Sequence, residues 1–153
     1  MKISIRQANS SDVEEIAGLL GELGYPSTET EIEARLKLVE SSSSDAVIVA
    51  TVGDVLAVLG PPRDRVVAFL SLHVIPYFTT GNLVGRVSAF AVEEAERYQG
   101  IGRQMMAAAE DQARKMGCKA IEVTSADHRE DAHAFYARLG YPKTSVKFFK
   151  KLI

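Results

Sequence analysis

Cysteine is nearly absent from the chain, and neither sign of charge dominates. Cys118 is the single cysteine, which excludes an intramolecular disulfide and favours a reducing compartment. The 18 Lys and Arg residues against 20 Asp and Glu residues leave a net charge of −2. Because nucleic-acid-binding domains usually carry a clearly basic face, this balance argues against a nucleic-acid partner.

The sequence also lacks a long hydrophobic run. Its longest nearly uncharged stretch, residues 66–83, is interrupted by His73, Pro76 and Gly81. That stretch is shorter than the roughly 20 apolar residues of a membrane-spanning helix. Residues 1–6 contain no apolar segment of the kind that begins a signal peptide. We therefore expect a soluble, cytoplasmic protein with no membrane partner.

The composition is typical of one globular domain. Hydrophobic residues make up 46% and charged residues 25% of the 153 residues, as in ordinary soluble proteins. That length is close to the commonest size of a single domain. Neither an internal repeat nor a long linker divides the chain. We predict a single domain over residues 1–153.

Apolar periodicity predicts helices and strands that alternate in the second half of the chain, which favours an α/β fold with a mixed sheet. The first helix is predicted to be capped by Ser10 or Ser11 and the second to begin near Thr28. Strands are predicted at residues 3–5, 46–51, 55–59, 66–75, 83–92, 120–124 and 144–151, and the later helices begin near residues 100 and 130.

The segment with the most distinctive chemistry, residues 87–103, ends in the pattern Arg97-x-x-Gly100-x-Gly102. A strand is predicted to enter a turn here, and a helix to follow. Glycines let backbone N–H groups approach an anion because no Cβ blocks the way, and a helix N-terminus adds donors and partial positive charge. With Arg97 and Arg103 these features predict a pyrophosphate cradle. Glycines that serve only a tight turn are the alternative.

Two other nucleotide motifs are disfavoured at this turn. A P-loop requires Gly-Lys followed by Ser or Thr, whereas Arg103 and Gln104 follow Gly102. A dinucleotide fingerprint requires a third glycine, where Met105 stands.

The Arg-x-x-Gly-x-Gly pattern resembles the coenzyme A motif of the GNAT acetyltransferase superfamily, in which loop amides hold the pyrophosphate. Downstream, residues 128–141 resemble the superfamily helix that ends in Phe-Tyr-x-x-x-Gly followed by Phe or Tyr. Residues 5–8 and Asp12 resemble the entry into its first helix. The resemblance implies the GNAT fold, a mixed and mostly antiparallel central sheet flanked by about four helices and splayed between the fourth and fifth strands.

The resemblance also implies acetyl-CoA as cosubstrate, with no metal. Main-chain groups of Phe90 and Val92 would hold the pantetheine arm, and the amides of residues 99–103 would hold the pyrophosphate. Arg129 stands where the family often has Asn, and an arginine can reach a phosphate instead. The coenzyme-binding residues implied in this way are Phe90, Ala91, Val92, Arg97, Tyr98, Gln99, Gly100, Ile101, Gly102, Arg103, Arg129, His133 and Tyr136.

Tyr136 matches the family's usual general acid. Aminolysis of a thioester expels a thiolate, and a phenol with a pKa of about 10 can protonate it. A packing role is the alternative, and since Phe135 is adjacent we expect one of the two side chains to face away from the core. His133, on the same helical face as Tyr136, could order its hydroxyl, contact the coenzyme or be structural.

No general base can be assigned from the sequence. Many relatives carry an acidic residue on the fourth strand, where this chain has Ser88 and Ala89. Glu93 and Glu94 follow that strand, and His73 lies on the preceding one. Each could relay a proton through water, and each is also typical of a solvated or structural group.

The implied function is direct transfer of an acetyl group, within a ternary complex, from acetyl-CoA to a primary amine of a small molecule. Residues 128–150 resemble the small-molecule branch, which includes aminoglycoside and aminoalkylphosphonate N-acetyltransferases. The acceptor would lie between the first two helices and residues 76–82. A protein lysine or N-terminal acetyltransferase and a non-catalytic CoA-binding domain are the alternatives. The resemblance leaves a homodimer open.

Overall fold

The computed structural model describes residues 2–53, 64–125 and 129–153. The strand predicted at residues 55–59 lies outside the described residues, as does His128 at the start of the second motif. Within the described ranges, no helix is both long and apolar enough to cross a bilayer.

Among the described residues, five strands form one sheet. They are β1 (Ile3–Gln7), β2 (Asp45–Gly53), β3 (Asp64–Pro76), β4 (Leu83–Val92) and β5 (Ala120–Val123). The strands lie side by side in chain order, the first four antiparallel and β5 parallel to β4. The predicted mixed and mostly antiparallel sheet is therefore confirmed.

The part of the chain that the structure describes has four α-helices beside the sheet: α1 (Val13–Glu22), α2 (Glu29–Glu40), α3 (Ile101–Lys115) and α4 (Glu130–Arg138). The start of α2 near Thr28 is as predicted, and the structure shows that Thr28 caps this helix and forms a capping box with Glu31. The cap before α1 is Asn9 rather than Ser10 or Ser11, because the Asn9 side chain accepts the Ser11 amide at 2.9 Å. A short 3₁₀ turn at Ser10–Asp12 separates this cap from α1.

The sheet separates two hydrophobic cores. Successive strand residues point to opposite faces, so Leu70 and Leu72 pack with α3 while Phe69 packs with α1 and α2. On one face α3 buries Ile101, Met105, Met106, Ala109 and Ala113. On the other, α1 and α2 bury Val13, Ile16, Leu19, Ile32 and Leu36. Each helix is held by the apolar stripe that faces its side of the sheet.

β4 and β5 stay together for only part of their length. The paired residues run from Val84 with Ala120 to Val87 with Val123. Beyond them, residues 89–92 pair with β3 on one side alone among the described strands. This opening, which we call the gap, is consistent with the expected splay and is bordered by the residues assigned to the pantetheine arm.

The last predicted strand is not formed. Residues 142–153 contain neither helix nor strand and are exposed, so the prediction of a strand at residues 144–151 is wrong. Val146 and Phe148 lie two residues apart, as on one face of a strand, and are 65% and 93% exposed. Apolar residues at alternate positions suit one face of a pleated sheet. A strand also requires a partner, and no described strand pairs with this segment.

Candidate active site

Gly100 sets the geometry at the start of α3. Its φ of 82° and ψ of 1° are left-handed, a conformation that glycine adopts without steric cost. The Gln104 amide donates to the Gly100 carbonyl at 3.2 Å, and the amides of residues 101–103 precede this first helical bond, so they have no intrahelical acceptor. Gly100 provides no side chain to cap them. The predicted cradle therefore presents backbone donors at a helix N-terminus.

Gly102 has a different role from Gly100. A Cβ at Gly102 would lie 3.2 and 3.3 Å from ring atoms of Phe135 and 3.6 Å from Phe90, whereas a Cβ at Gly100 would meet open space. The absence of a side chain at Gly102 thus lets α4 and β4 approach the first turn of α3. Of these two positions, only residue 100 needs glycine for its backbone conformation.

The two cradle arginines point in different directions. Arg97 turns back toward β4, where its Nε donates to the Val92 carbonyl at 3.0 Å and its Nη2 lies 3.8 Å from Glu22 of α1. The carbonyl, one of the Val92 main-chain groups that the resemblance assigned to pantetheine, therefore already accepts a hydrogen bond. Arg103 lies exposed on the first turn of α3. Of the pair, Arg103 is better placed to meet a phosphate arriving from solvent.

Tyr98 and Gln99 form the turn before the helix. Tyr98 has a φ of 63° and is the one non-glycine residue with a positive φ in the described ranges. Its ring is 95% exposed, so the left-handed backbone at this position is not explained by packing. The Gln99 side chain donates through Nε2 to the Glu96 carboxylate at 3.1 Å, which orients the turn from its other side.

Glu93, one of the candidate bases, is held in an ion-pair network. Arg65 on β3 donates to Glu93 and, at 2.9 Å, to Glu96. This network fastens the end of β4 to β3. Because Glu93 is engaged by the Arg65 guanidinium, the structure favours a structural role for it.

Phe135 and Tyr136 both pack against the core on the α3 side. Their ring centroids are 5.2 Å apart, and Phe135 lies 6.2 Å from Phe90. Tyr141 folds back after α4 so that its amide donates to the Tyr136 carbonyl at 3.0 Å and its ring lies 6.2 Å from that of Tyr136. The expectation that either Phe135 or Tyr136 faces away from the core is therefore wrong. Both rings pack inward, and Tyr141 covers the side of Tyr136 that α4 alone would leave exposed.

Burial raises the pKa of Tyr136 to about 12, although the Arg129 charge acts in the opposite direction. The hydroxyl of Tyr136 is therefore protonated at neutral pH and available as a donor. Arg129 donates through Nη2 to the Leu23 carbonyl at 2.8 Å, so it joins the start of α4 to the end of α1. His133 is half-buried on α4, and its amide donates to the Arg129 carbonyl at 3.1 Å.

On the opposite face of the sheet, a hydrogen-bonded chain links three neighbouring strands. Asp45 Oδ1 lies 2.6 Å from His73 Nδ1, and His73 Nε2 lies 2.5 Å from Ser88 Oγ. Ser42 donates to the second Asp45 oxygen at 2.6 Å. This hydroxyl, followed by the contact with His73, lowers the pKa of Asp45. The sequence had marked His73 and Ser88 separately, and it missed Asp45, because only the strand register brings the three together.

The same face carries a row of polar side chains across four strands. Directly paired residues share a face, and the register joins Asp45 to His73, His73 to Arg86, and Arg86 to Glu122. Arg86 Nε donates to Glu122 at 2.6 Å, and the Tyr77 hydroxyl donates to the same carboxylate at 2.6 Å. We call these four paired residues the polar row. It offers an ionic, partly exposed surface beside the gap.

A groove of about 370 Å³ borders Asp45, which is the end of the polar row farthest from Glu122. It is lined by the end of α2, residues 42–47 and the end of α3. None of its lining residues belongs to the predicted cradle. Among the described residues, no cluster of three His, Cys, Asp or Glu side chains is arranged to hold a metal.

The chain matches the family model described as acetyltransferase (GNAT) family over residues 26–141. A curated relative, the aminoalkylphosphonate N-acetyltransferase of Salmonella typhimurium (strain LT2), is 37% identical over 88 residues. That match covers 58% of this chain and 57% of the relative. The chain thus matches little more than half the length of this curated protein.

Solved structures share the fold from end to end. A transcriptional regulator from Bacillus halodurans C-125 superposes with a TM-score of 0.82 at 25% identity, covering 99% of this chain and 100% of the other. An aminoglycoside N-acetyltransferase, AAC(6')-Iy in complex with CoA, superposes with a TM-score of 0.81 at 18% identity, covering 99% and 96%. At that identity the second likeness shows the fold alone.

Proposed function

The chain belongs to the GNAT acetyltransferase family, and on that premise we propose that it transfers the acetyl group of acetyl-CoA to a primary amine of a small molecule. One observation carries the proposal: the open edge of β4 at residues 88–92 leads along the chain into the donor-rich N-terminus of α3. An extended thioester arm and a pyrophosphate would fit one after the other along this path. The name of the Salmonella relative supports a small amine as acceptor.

The residues at the start of α3 suit the pyrophosphate of acetyl-CoA. The amides of residues 101–103 have no intrahelical acceptor, and the left-handed Gly100 keeps a Cβ away from them. Each favourable charge at a helix N-terminus contributes about 0.3–1 kcal/mol when exposed, and Arg103 adds a full positive charge. When bound, acetyl-CoA supplies an activated acetyl thioester.

We assign Tyr136 as a hydrogen-bond donor to the departing sulfur. Its pKa of about 12 keeps the hydroxyl protonated, whereas a thiol has a pKa of about 8.5. Complete proton transfer to the sulfur would therefore be uphill by about 5 kcal/mol. A donated hydrogen bond stabilises the developing thiolate without that cost, so Tyr136 acts by donation and the thiolate gains its proton from solvent.

The function is tested by incubating the protein with acetyl-CoA and a panel of primary amines while a chromogenic disulfide reagent detects free thiol. The panel contains aminoalkylphosphonates, aminoglycosides and lysine peptides, and a reaction without amine is the control. We expect amine-dependent thiol release that is fastest with a small amine. Release with peptides alone would identify a protein acetyltransferase. Coenzyme binding by calorimetry without release from any amine would identify a non-catalytic CoA-binding domain.

A further inference from the structure

We propose that the hydrogen-bonded chain of Asp45, His73 and Ser88, called here the relay, accepts the proton that the amine nitrogen loses during acetyl transfer. The inference rests on the proposed function and supplies the base that the sequence could not assign. Its basis is geometric: a carboxylate, an imidazole and a hydroxyl from β2, β3 and β4 lie in line at 2.6 and 2.5 Å. A carboxylate that orients an imidazole, which in turn activates a hydroxyl, is a known arrangement for moving a proton.

A β-bulge places Ser88 at the mouth of the gap. Ser71 pairs with Ala89 and Leu72 pairs with Val87, which leaves Ser88 as the extra residue on β4. Bulges redirect a side chain relative to the regular alternation, and here the Ser88 hydroxyl lies 2.8 Å from Ser71 as well as 2.5 Å from His73. Ser88 is also the first β4 residue after the pairing with β5 ends. It is exposed, so an amine can reach it from solvent.

The hydrogen bonds define the direction of proton movement. Asp45 as a carboxylate can only accept, so His73 carries its proton on Nδ1 and offers the Nε2 lone pair to the Ser88 hydroxyl. As the amine nitrogen bonds to the acetyl carbon, the bond from that carbon to sulfur breaks and the nitrogen releases one proton. Ser88 Oγ takes this proton and passes its own to His73 Nε2. The imidazolium beside Asp45 then returns the proton to solvent, and the products are an amide and a thiolate.

The relay and Tyr136 act from opposite faces of the sheet. Tyr136 packs with the core on the α3 side, while the relay shares the face of the polar row, on which α1 and α2 pack. The proton acceptor for the amine and the donor to the sulfur therefore lie on opposite faces of the sheet.

Several charged groups surround His73 and shape the pH dependence. Asp45 faces it from β2, Arg86 from β4, and Glu122 lies beyond Arg86 on β5, while Glu40 at the end of α2 lines the groove that Asp45 borders. Arginine stays charged throughout, and carboxylates as a class ionise well below neutrality. Because the relay requires that His73 Nε2 be free to accept a proton, a fall of kcat/KM on acidification that disappears in a His73 variant would report this group.

The test is the pH profile of kcat/KM for His73→Asn, Ser88→Ala and Asp45→Asn with the best amine of the panel. His73→Asn should lose the acid limb and at least roughly a hundredfold in rate, within the usual contribution of a general base. Ser88→Ala should lose roughly tenfold and keep the limb, since a water can replace the hydroxyl. Asp45→Asn should move the limb to lower pH because the imidazolium loses its carboxylate partner. Ser4→Ala on β1 is the control for removing a strand hydroxyl.

Two further readouts do not depend on turnover. The nitrogen NMR spectrum of histidine-labelled protein should show the Nδ1–H tautomer at His73, and Asp45→Asn should perturb it. The affinity for acetyl-CoA by calorimetry should stay within twofold in all three variants. Because Ser88 and His73 also resemble a serine nucleophile, intact-protein mass spectrometry after incubation with acetyl-CoA should show no acetyl adduct.

The outcomes separate this inference from the proposed function. An active wild-type protein whose pH profile is unchanged in a folded His73→Asn variant overturns the relay alone, and an acetyl adduct on Ser88 does so as well. If His73→Asn fails to fold, the Ser88→Ala rate and the NMR tautomer decide. A wild-type protein that acetylates no amine overturns the proposed function, and the relay with it.

Discussion

Replacing Gly102 by alanine would place a Cβ 3.2 Å from the Phe135 ring, closer than an ordinary carbon contact of about 3.5–4.0 Å. Overpacking of this kind usually costs about 1–3 kcal/mol. Alanine is favoured over glycine inside a helix by up to about 1 kcal/mol, and the gain is smaller at the second residue of α3. We therefore expect Gly102→Ala to lower the free energy of unfolding by about 1 kcal/mol, which for a chain of this size lowers Tm by about 2–4 °C.

The effect of the contact between residue 102 and Phe135 on the free energy of unfolding is measured by urea unfolding of Gly102→Ala, Phe135→Leu and the double variant. If contact with the Phe135 ring causes the loss of stability in Gly102→Ala, the smaller leucine should relieve it. The free energy of unfolding of the double variant should then exceed the value expected from adding the two single effects by about 0.5–1 kcal/mol. Gly100→Ala is the matched control, because its Cβ meets open space and its cost of about 1–2 kcal/mol arises from the left-handed backbone. That cost should be independent of Phe135. A Gly102→Ala protein as stable as the wild type, with additive effects, would refute the reasoning.

Three other substitutions test the site and its electrostatics. Tyr136→Phe should lower kcat by roughly tenfold to a hundredfold with acetyl-CoA affinity unchanged, measured by thiol release and calorimetry, because it removes one hydrogen-bond donor. Arg103→Gln should weaken acetyl-CoA binding by roughly fivefold, less at high salt, since it removes an exposed charge beside the phosphates. The pKa of Asp45 is lowered in the folded protein, so its contribution to stability is present above about pH 4 and is lost as the pH falls through the folded value. Asp45→Asn should therefore flatten the decline in Tm on acidification.

Local sequence signals predicted the elements that depend on a few adjacent residues. The bounds of β4 were predicted in full, and the start of α2 was predicted near Thr28, where a capping box lies within four residues. The first cap was misplaced because Asn9 and two serines are all suitable caps, and only the hydrogen bond to the Ser11 amide distinguishes them. The final strand failed for a different reason. Alternation measures the fit of a segment to a sheet, but it does not provide a neighbouring strand.

The same distinction between local and long-range information explains which parts of the site were found. The cradle was predictable because the glycines, the arginines and the helix N-terminus are contiguous, so their chemistry can be inferred from spacing alone. The relay was not, because Asp45 and His73 are 28 residues apart and His73 and Ser88 are 15 apart. The contacts among these three residues depend on two strand registers and on a bulge, and no local sequence pattern predicts either. A shift of one residue in the register of β2 would turn Asp45 to the other face of the sheet. The relay therefore forms only in the register that the folded sheet adopts.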